Sequence, residues 1–154
     1  MILFPKNAPV IERLNSFYVD IDRLFEHYQG QMACGAVHFK APSMEGVVFF
    51  DETEPLTGTA VARDGSLQGP EAVRRLIEAG ARVNFTLAVF QVPQEKHYFW
   101  TRLPEATPIY DNLSAEFADL SALVRKMKSE HLTGFIEVQR PGAPGVDFIL
   151  FDGG

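Results

Sequence analysis

The chain has 154 residues with a formal charge of −6, is 46% hydrophobic and 12% aromatic, and carries a single cysteine, Cys34. That is one ordinary domain or two small ones with a core of useful size, which excludes a disordered chain, an internal disulfide and a multi-cysteine metal site. The acidic excess argues against phosphate neutralisation, so neither nucleic acid nor an anionic membrane surface is an expected partner.

The stretch Met1–Lys6 is apolar for only three residues after Met1, too short for a secretory signal. No stretch approaches the roughly 18 to 20 apolar residues of a membrane span. The sequons at Asn84 and Asn112 then read as chance matches, and a cytoplasmic location is expected. Asp20 is a good helix N-cap, followed by Ile21, Leu24, Phe25 and Tyr28 at helical spacing and by Gly30 at the helix end. Gly35–Lys40 alternates as a strand, with Val37 and Phe39 on one face. A Pro/Gly-containing turn leads to a second strand, Val47–Phe50, so the pair is an antiparallel hairpin. Thr57–Ala62 is a third strand and Arg63–Ser66 a turn marked by Asp64-Gly65. Pro70 suits the first position of a helix over Glu71–Ala79 that Gly80 closes, with Val73, Leu76 and Ile77 as its apolar stripe. Arg82–Val92 is a strand, Pro93–Lys96 a turn and His97–Thr101 a short aromatic strand. Thr101–Thr107 is the linker. Beyond it Asp119 caps a helix carrying Leu120, Leu123, Val124 and Met127, and the strands Gly134–Gln139 and Val146–Phe151 form a second hairpin.

The two halves repeat. A shift of 99 residues aligns Ala8–Val47 with Thr107–Val146 without a gap, with identities at Pro9/Pro108, Leu14/Leu113, Asp20/Asp119, Leu24/Leu123, Gly35/Gly134, Pro42/Pro141, Gly46/Gly145 and Val47/Val146. Eight identities in forty exceed the roughly two or three of chance, and apolar pairs such as Tyr18/Phe117 and Val37/Ile136 agree as well. With a two-residue gap Phe50-Asp51 then meets Phe151-Asp152. The expected fold is therefore α+β: short helices on small, mostly antiparallel sheets, in a complete first unit over 1–104 and a second over 105–154 that has helix and hairpin only. That second unit reads as incomplete: either the native polypeptide is longer and this chain is a fragment of it, which is the favoured expectation, or the half unit completes its sheet elsewhere. A sheet ending there has an open edge at Phe148–Asp152 that invites pairing with another chain.

The order helix, Gly35-Ala-Val-His-Phe39, Gly46-Val-Val-Phe-Phe-Asp51, Gly69-Pro-Glu-Ala-Val73 and the strand around Phe85 resembles the PATAN domain (DUF4388). In the second unit Thr133-Gly-Phe-Ile-Glu-Val138 and Phe148-Ile-Leu-Phe-Asp-Gly153 carry the same pattern. The resemblance covers about Asp20–Phe90 and Asp119–Gly154. The family's glycine after the aspartate is kept as Gly153 and replaced by Glu52 in the first unit. The resemblance implies a bacterial signalling setting beside response-regulator receivers, a protein-interaction role and no catalytic residues.

Candidate chemistry is sparse. Cys34 would serve as a nucleophile only with His27, His38, His97 or His131 as base, and it stands at a strand entry where the second unit has Thr133. No two histidines have the spacing of a helical zinc site, so no metal and no cofactor are expected. The run Asp51-Glu52-Thr53-Glu54 lacks the spacing of a calcium loop and reads as a solvated hairpin end. Gly58, Gly65 and Gly69 precede a helix without a P-loop lysine, and Glu71 already complements the helix dipole. Arg74 and Arg75 read as solvent-facing. The aromatic run His97-Tyr98-Phe99-Trp100, with the single tryptophan, is a candidate interaction hot spot, as are Phe148 and Phe151 on the open edge. The expected function is thus a non-catalytic regulatory or scaffolding module that binds a receiver, a kinase or a second copy of itself. A small-molecule sensor with its ligand between helix and sheet, and an enzyme using Cys34 with a histidine, are the alternatives.

Overall fold

The computed structural model describes residues 2, 4, 8–142 and 146–153. The chain divides into two compact units, Met1–Glu105 and Ala106–Gly154.

In the first unit the elements run β1 (Ile11–Asn15), α1 (Ile21–Gln29), β2 (Cys34–Lys40), β3 (Met44–Asp51), β4 (Pro55–Ala62), β5 (Gly65–Gln68), α2 (Pro70–Gly80), β6 (Thr86–Gln91) and α3 (Gln94–Arg102). The strands form one antiparallel sheet in the order β1-β6-β2-β3-β4-β5. Alternation along the strands gives the sheet two apolar faces. Val37, Phe39, Val48, Phe50, Leu87 and Val89 belong to the larger cluster, together with Ile21, Phe25 and Tyr28 of α1 and Val73 and Leu76 of α2. Ala36, Val47, Phe49 and Val92 form a smaller cluster with Cys34 and Ile2, and partly buried Phe4 and Trp100 pack on it. Two close approaches set the spacing of the first layer. A Cβ on Gly35 would fall inside the Phe50 ring, and one on Gly46 would fall on Leu76 of α2.

The second unit comprises α4 (Leu120–Ser129), β7 (Gly134–Gln139) and β8 (Val146–Phe151), with β7 and β8 paired antiparallel. The α+β class with mostly antiparallel sheets follows directly from these elements.

The repeat extends to the backbone. Arg13 and Asn112, 99 residues apart, are two non-glycine residues with positive φ, at 62° and 51°. Two residues on, the Asn15 side chain accepts from the Phe17 N–H, as the Ser114 hydroxyl accepts from the Glu116 N–H. The Asp20 carboxylate caps α1 through the Arg23 N–H, and the Asp119 carboxylate caps α4 through Ser121 and Ala122. Gly35 pairs with Phe50 in the first hairpin, and Gly134 with Phe151 in the second. That register places the two-residue insertion in the second hairpin's turn, so the counterparts of Gly46 and Val47 are Asp147 and Phe148. The ungapped matches to Gly145 and Val146 are therefore sequence coincidences; Gly145 itself lies outside the described residues.

Four expectations are corrected. The aromatic run His97–Thr101 is not a strand but the body of α3. Pro93, at φ −55°, sets the first turn, Glu95 complements its dipole and Arg102 lies over the Tyr98 ring one turn back. Density of aromatics favours strands only where a sheet edge receives them, and β6 ends at Gln91. The linker accordingly shortens: Thr101 and Arg102 belong to α3, and a 3-10 turn occupies Leu103–Glu105. The turn expected over Arg63–Ser66 is confined to Arg63 and Asp64, because Gly65 and Ser66 belong to β5, and the strand expected over Arg82–Val92 is only Thr86–Gln91. Finally, β1 was invisible in the sequence because its five residues alternate poorly, a bulge separating Ile11 from Leu14.

Candidate functional site

The residues singled out by sequence fall in two places. His97, Tyr98, Phe99 and Trp100 lie on α3 of the first unit, and Phe148 and Phe151 lie on β8 of the second.

On α3 the four aromatics divide by facing. Trp100 packs on the smaller apolar cluster and meets Phe99 edge to face, ring centroids 5.2 Å apart. Tyr98 is largely exposed beneath Arg102. His97 is half-buried, and its Nε2 is buried without a protein partner. Burial holds this imidazole below its ordinary pKa, against the pull of Asp51 and the Phe50 carbonyl.

Cys34 and Asp51 are opposite each other at the open end of the β2–β3 hairpin, and His97 acts electrostatically on Asp51. The three groups share a neighbourhood but not an activated nucleophile. Burial pushes the Cys34 thiol up, and the carboxylates of Asp51 and Glu52 push it further. The Thr53 hydroxyl, the backbone of Glu54 and Thr53, and the field of His97 hold Asp51 below the usual carboxylate range. Its oxygen accepts from the Thr53 N–H (2.8 Å) and hydroxyl (2.6 Å) and from the Glu54 N–H (2.9 Å), so the acidic run is a closed turn. Among the described residues no group of three or more His, Cys, Asp or Glu side chains could hold a metal ion.

This arrangement predicts an inert thiol. At pH 7.5 Cys34 should react with an aromatic disulfide reagent at least about tenfold more slowly than a free thiol, reaching the free rate only in denaturant. A native rate equal to or above that of free cysteine near pH 7 would mean an activated thiolate and would bring the enzyme reading forward.

His38 pairs with Glu45 at 2.9 Å on the smaller-cluster face, and its ring stacks on Phe4. His27 bonds Gln31, and His131 bonds the Gly153 carbonyl. No histidine pairs with Cys34 by a described hydrogen bond. On the surface of α2, Arg74 bridges Glu71 and Glu78, and Arg75 reaches Asp64 at 3.5 Å. A depression of about 290 Å³ lies beside that last pair, between the start of α2 and β4–β5, with Met44 and Leu67 among its lining. It is open to solvent, whereas the layer between helices and sheet is filled: Phe25 meets Phe50, and Phe39 meets Phe85, edge to face.

In the second unit Phe151 is buried and Phe148 meets Phe135 across the hairpin at 5.7 Å. Neither β7 nor β8 has a second strand neighbour among the described residues. Their first-unit counterparts do: β2 is flanked by β6 and β3 by β4. Sequence reasoning missed a further feature: Tyr18 and Phe117, equivalent in the repeat, are 89% and 90% exposed just ahead of their capped helices.

No helix among the described residues is long and apolar enough to cross a membrane. No family model, curated protein or solved structure matches the chain.

Proposed function

We propose that the chain is a non-catalytic interaction module that works in the cytoplasm in bacterial signalling, where it engages a protein partner through the strand edges of its second unit. The observation that carries this reading is the contrast between two hairpins of the same register. The first is enclosed by β6 and β4; the second ends in two edges that among the described residues pair with nothing. Unpaired edges are templates for strand addition, and native proteins blunt those that have no use. The apolar stretch Phe148–Phe151 carries no lysine and no proline to blunt it. The signalling setting, with a receiver or kinase as the partner class, is what the resemblance to PATAN domains contributes. The protected thiol and the closed acidic turn add support, since neither offers a reacting group.

The test is affinity capture with the whole chain beside an edge-blocked variant, Ile149→Lys. A protein retained by the natural chain, whether foreign or a second copy, and lost on blocking supports the reading. Retention of nothing by either chain, or equal retention by both, would remove the edge from consideration.

A further inference from the structure

We infer that the partner of the β8 edge is a second copy of this chain, the two second units pairing β8 against β8 about a two-fold axis. This rests on the interaction reading above and names its partner.

The first unit shows what its hairpin requires beside it. There β4 runs antiparallel to β3 along the edge that corresponds to the free edge of β8. Helix α2 covers the same side of the sheet as α1, and the two helices meet where Ile21 occupies the space a Cβ on Gly80 would need. Ile21 is 8% exposed as a result. Its counterpart at the start of α4 is Leu120, and Leu120 is 43% exposed. Val48, fully buried under that layer, corresponds to Ile149, which is only half-buried. The second unit thus presents the apolar positions that a flanking strand and helix cover in the first.

A second copy supplies both at once. Identical strands paired edge to edge in antiparallel sense are related by a two-fold axis perpendicular to the sheet, a closed isologous contact. Such an axis keeps each copy's helix on the same side of the joined sheet. One copy's β8 then takes the place that β4 has beside β3, and its α4 takes the place that α2 has beside α1. A foreign strand alone would pair the edge and leave Leu120 exposed.

One strand and one helix contact make a small interface, so a dissociation constant of roughly 1–100 μM is expected. The experiment is light scattering of the whole chain after gel filtration, from about 1 to 500 μM, a range that brackets this value. The natural chain should pass from a mass of 17.2 kDa toward twice that value. Leu120→Glu should stay monomeric. Leu120→Ala, which keeps the helix and adds no charge, should weaken the dimer about tenfold. Amide exchange along β8 should slow as the dimer forms. A natural chain that stays monomeric throughout overturns the inference. If that monomer still captures a foreign protein through β8, the interaction reading stands and only the self-partner falls. A dimer indifferent to Leu120→Ala, with β8 amides exchanging at the monomer rate, overturns it too by placing the contact elsewhere.

Discussion

Replacing Phe50 with alanine is expected to cost the first unit about 3–5 kcal/mol. Its ring is fully buried, meets Phe25 edge to face at 5.7 Å and lies over Gly35 of the neighbouring strand. The void would be bounded by β2, β3 and α1, whose backbones are fixed by the sheet ladder and the Asp20 cap, so little collapse is available to refill it. A domain of this size has roughly 5–15 kcal/mol in total, so the variant should melt far below the natural chain. Urea titration followed by circular dichroism reads the loss as a fall in midpoint. A loss below about 1 kcal/mol would mean that the ring is not packed as described. The partnership with Gly35 gives a second reading. Gly35→Ala alone should cost about 1–3 kcal/mol, because the new methyl meets the Phe50 ring; in the Phe50→Ala background it should cost almost nothing. Gly134, the counterpart in the second hairpin, has open space where a Cβ would go, so Gly134→Ala carries no such penalty.

That contrast shows what the sequence disclosed and what it did not. The helices at Ile21 and Leu120, both caps and both hairpins were legible, because capping, turn chemistry and alternation are local and act through the residues that display them. The repeat was legible as identities, but the insertion could be placed only by the strand register, which put it in the turn and dissolved two of the matches. The aromatic run at 97–100 stands out in the sequence, but its local pattern points to the wrong backbone. Four aromatics in a row carry a strand propensity, whereas the helix is decided by Pro93 before them and by Trp100 reaching the smaller apolar cluster. Strand β1 alternates poorly and is held by pairing with β6 across more than seventy residues, so nothing local displays it. At the candidate site, the sequence alone marks Phe148 and Phe151 as edge residues. The more telling positions, Leu120 and Ile149, emerged only when each was compared with its buried counterpart in the first unit.

Ser16 gives the second large effect, and no pattern in the sequence pointed to it. Its hydroxyl donates to the Val83 carbonyl at 3.0 Å and accepts from the Phe85 N–H at 2.9 Å, while its own N–H bonds the Phe85 carbonyl at 3.0 Å. Ser16 and Phe85 are both buried. Alanine at 16 would leave the Phe85 N–H without a partner where water does not reach, at a cost of about 1–3 kcal/mol. Ser66→Ala, on the exposed strand β5, should stay within about 0.5 kcal/mol and serves as the control. The same hydroxyl fixes the loop that carries Phe17 and Tyr18, so the variant should also speed amide exchange there, well below the unfolding midpoint. A Ser16→Ala chain with an unchanged midpoint would mean that a solvent molecule replaces the hydroxyl. The repeat sharpens the expectation. The residue equivalent to Ser16 is Ala115, exposed, in a unit where, among the described residues, no strand stands in the place of β6 with a lead-in segment to receive such bonds. Ala115→Ser should therefore leave stability unchanged. The serine matters because the segment that leads into β6, with Val83 and Phe85, lies beside it.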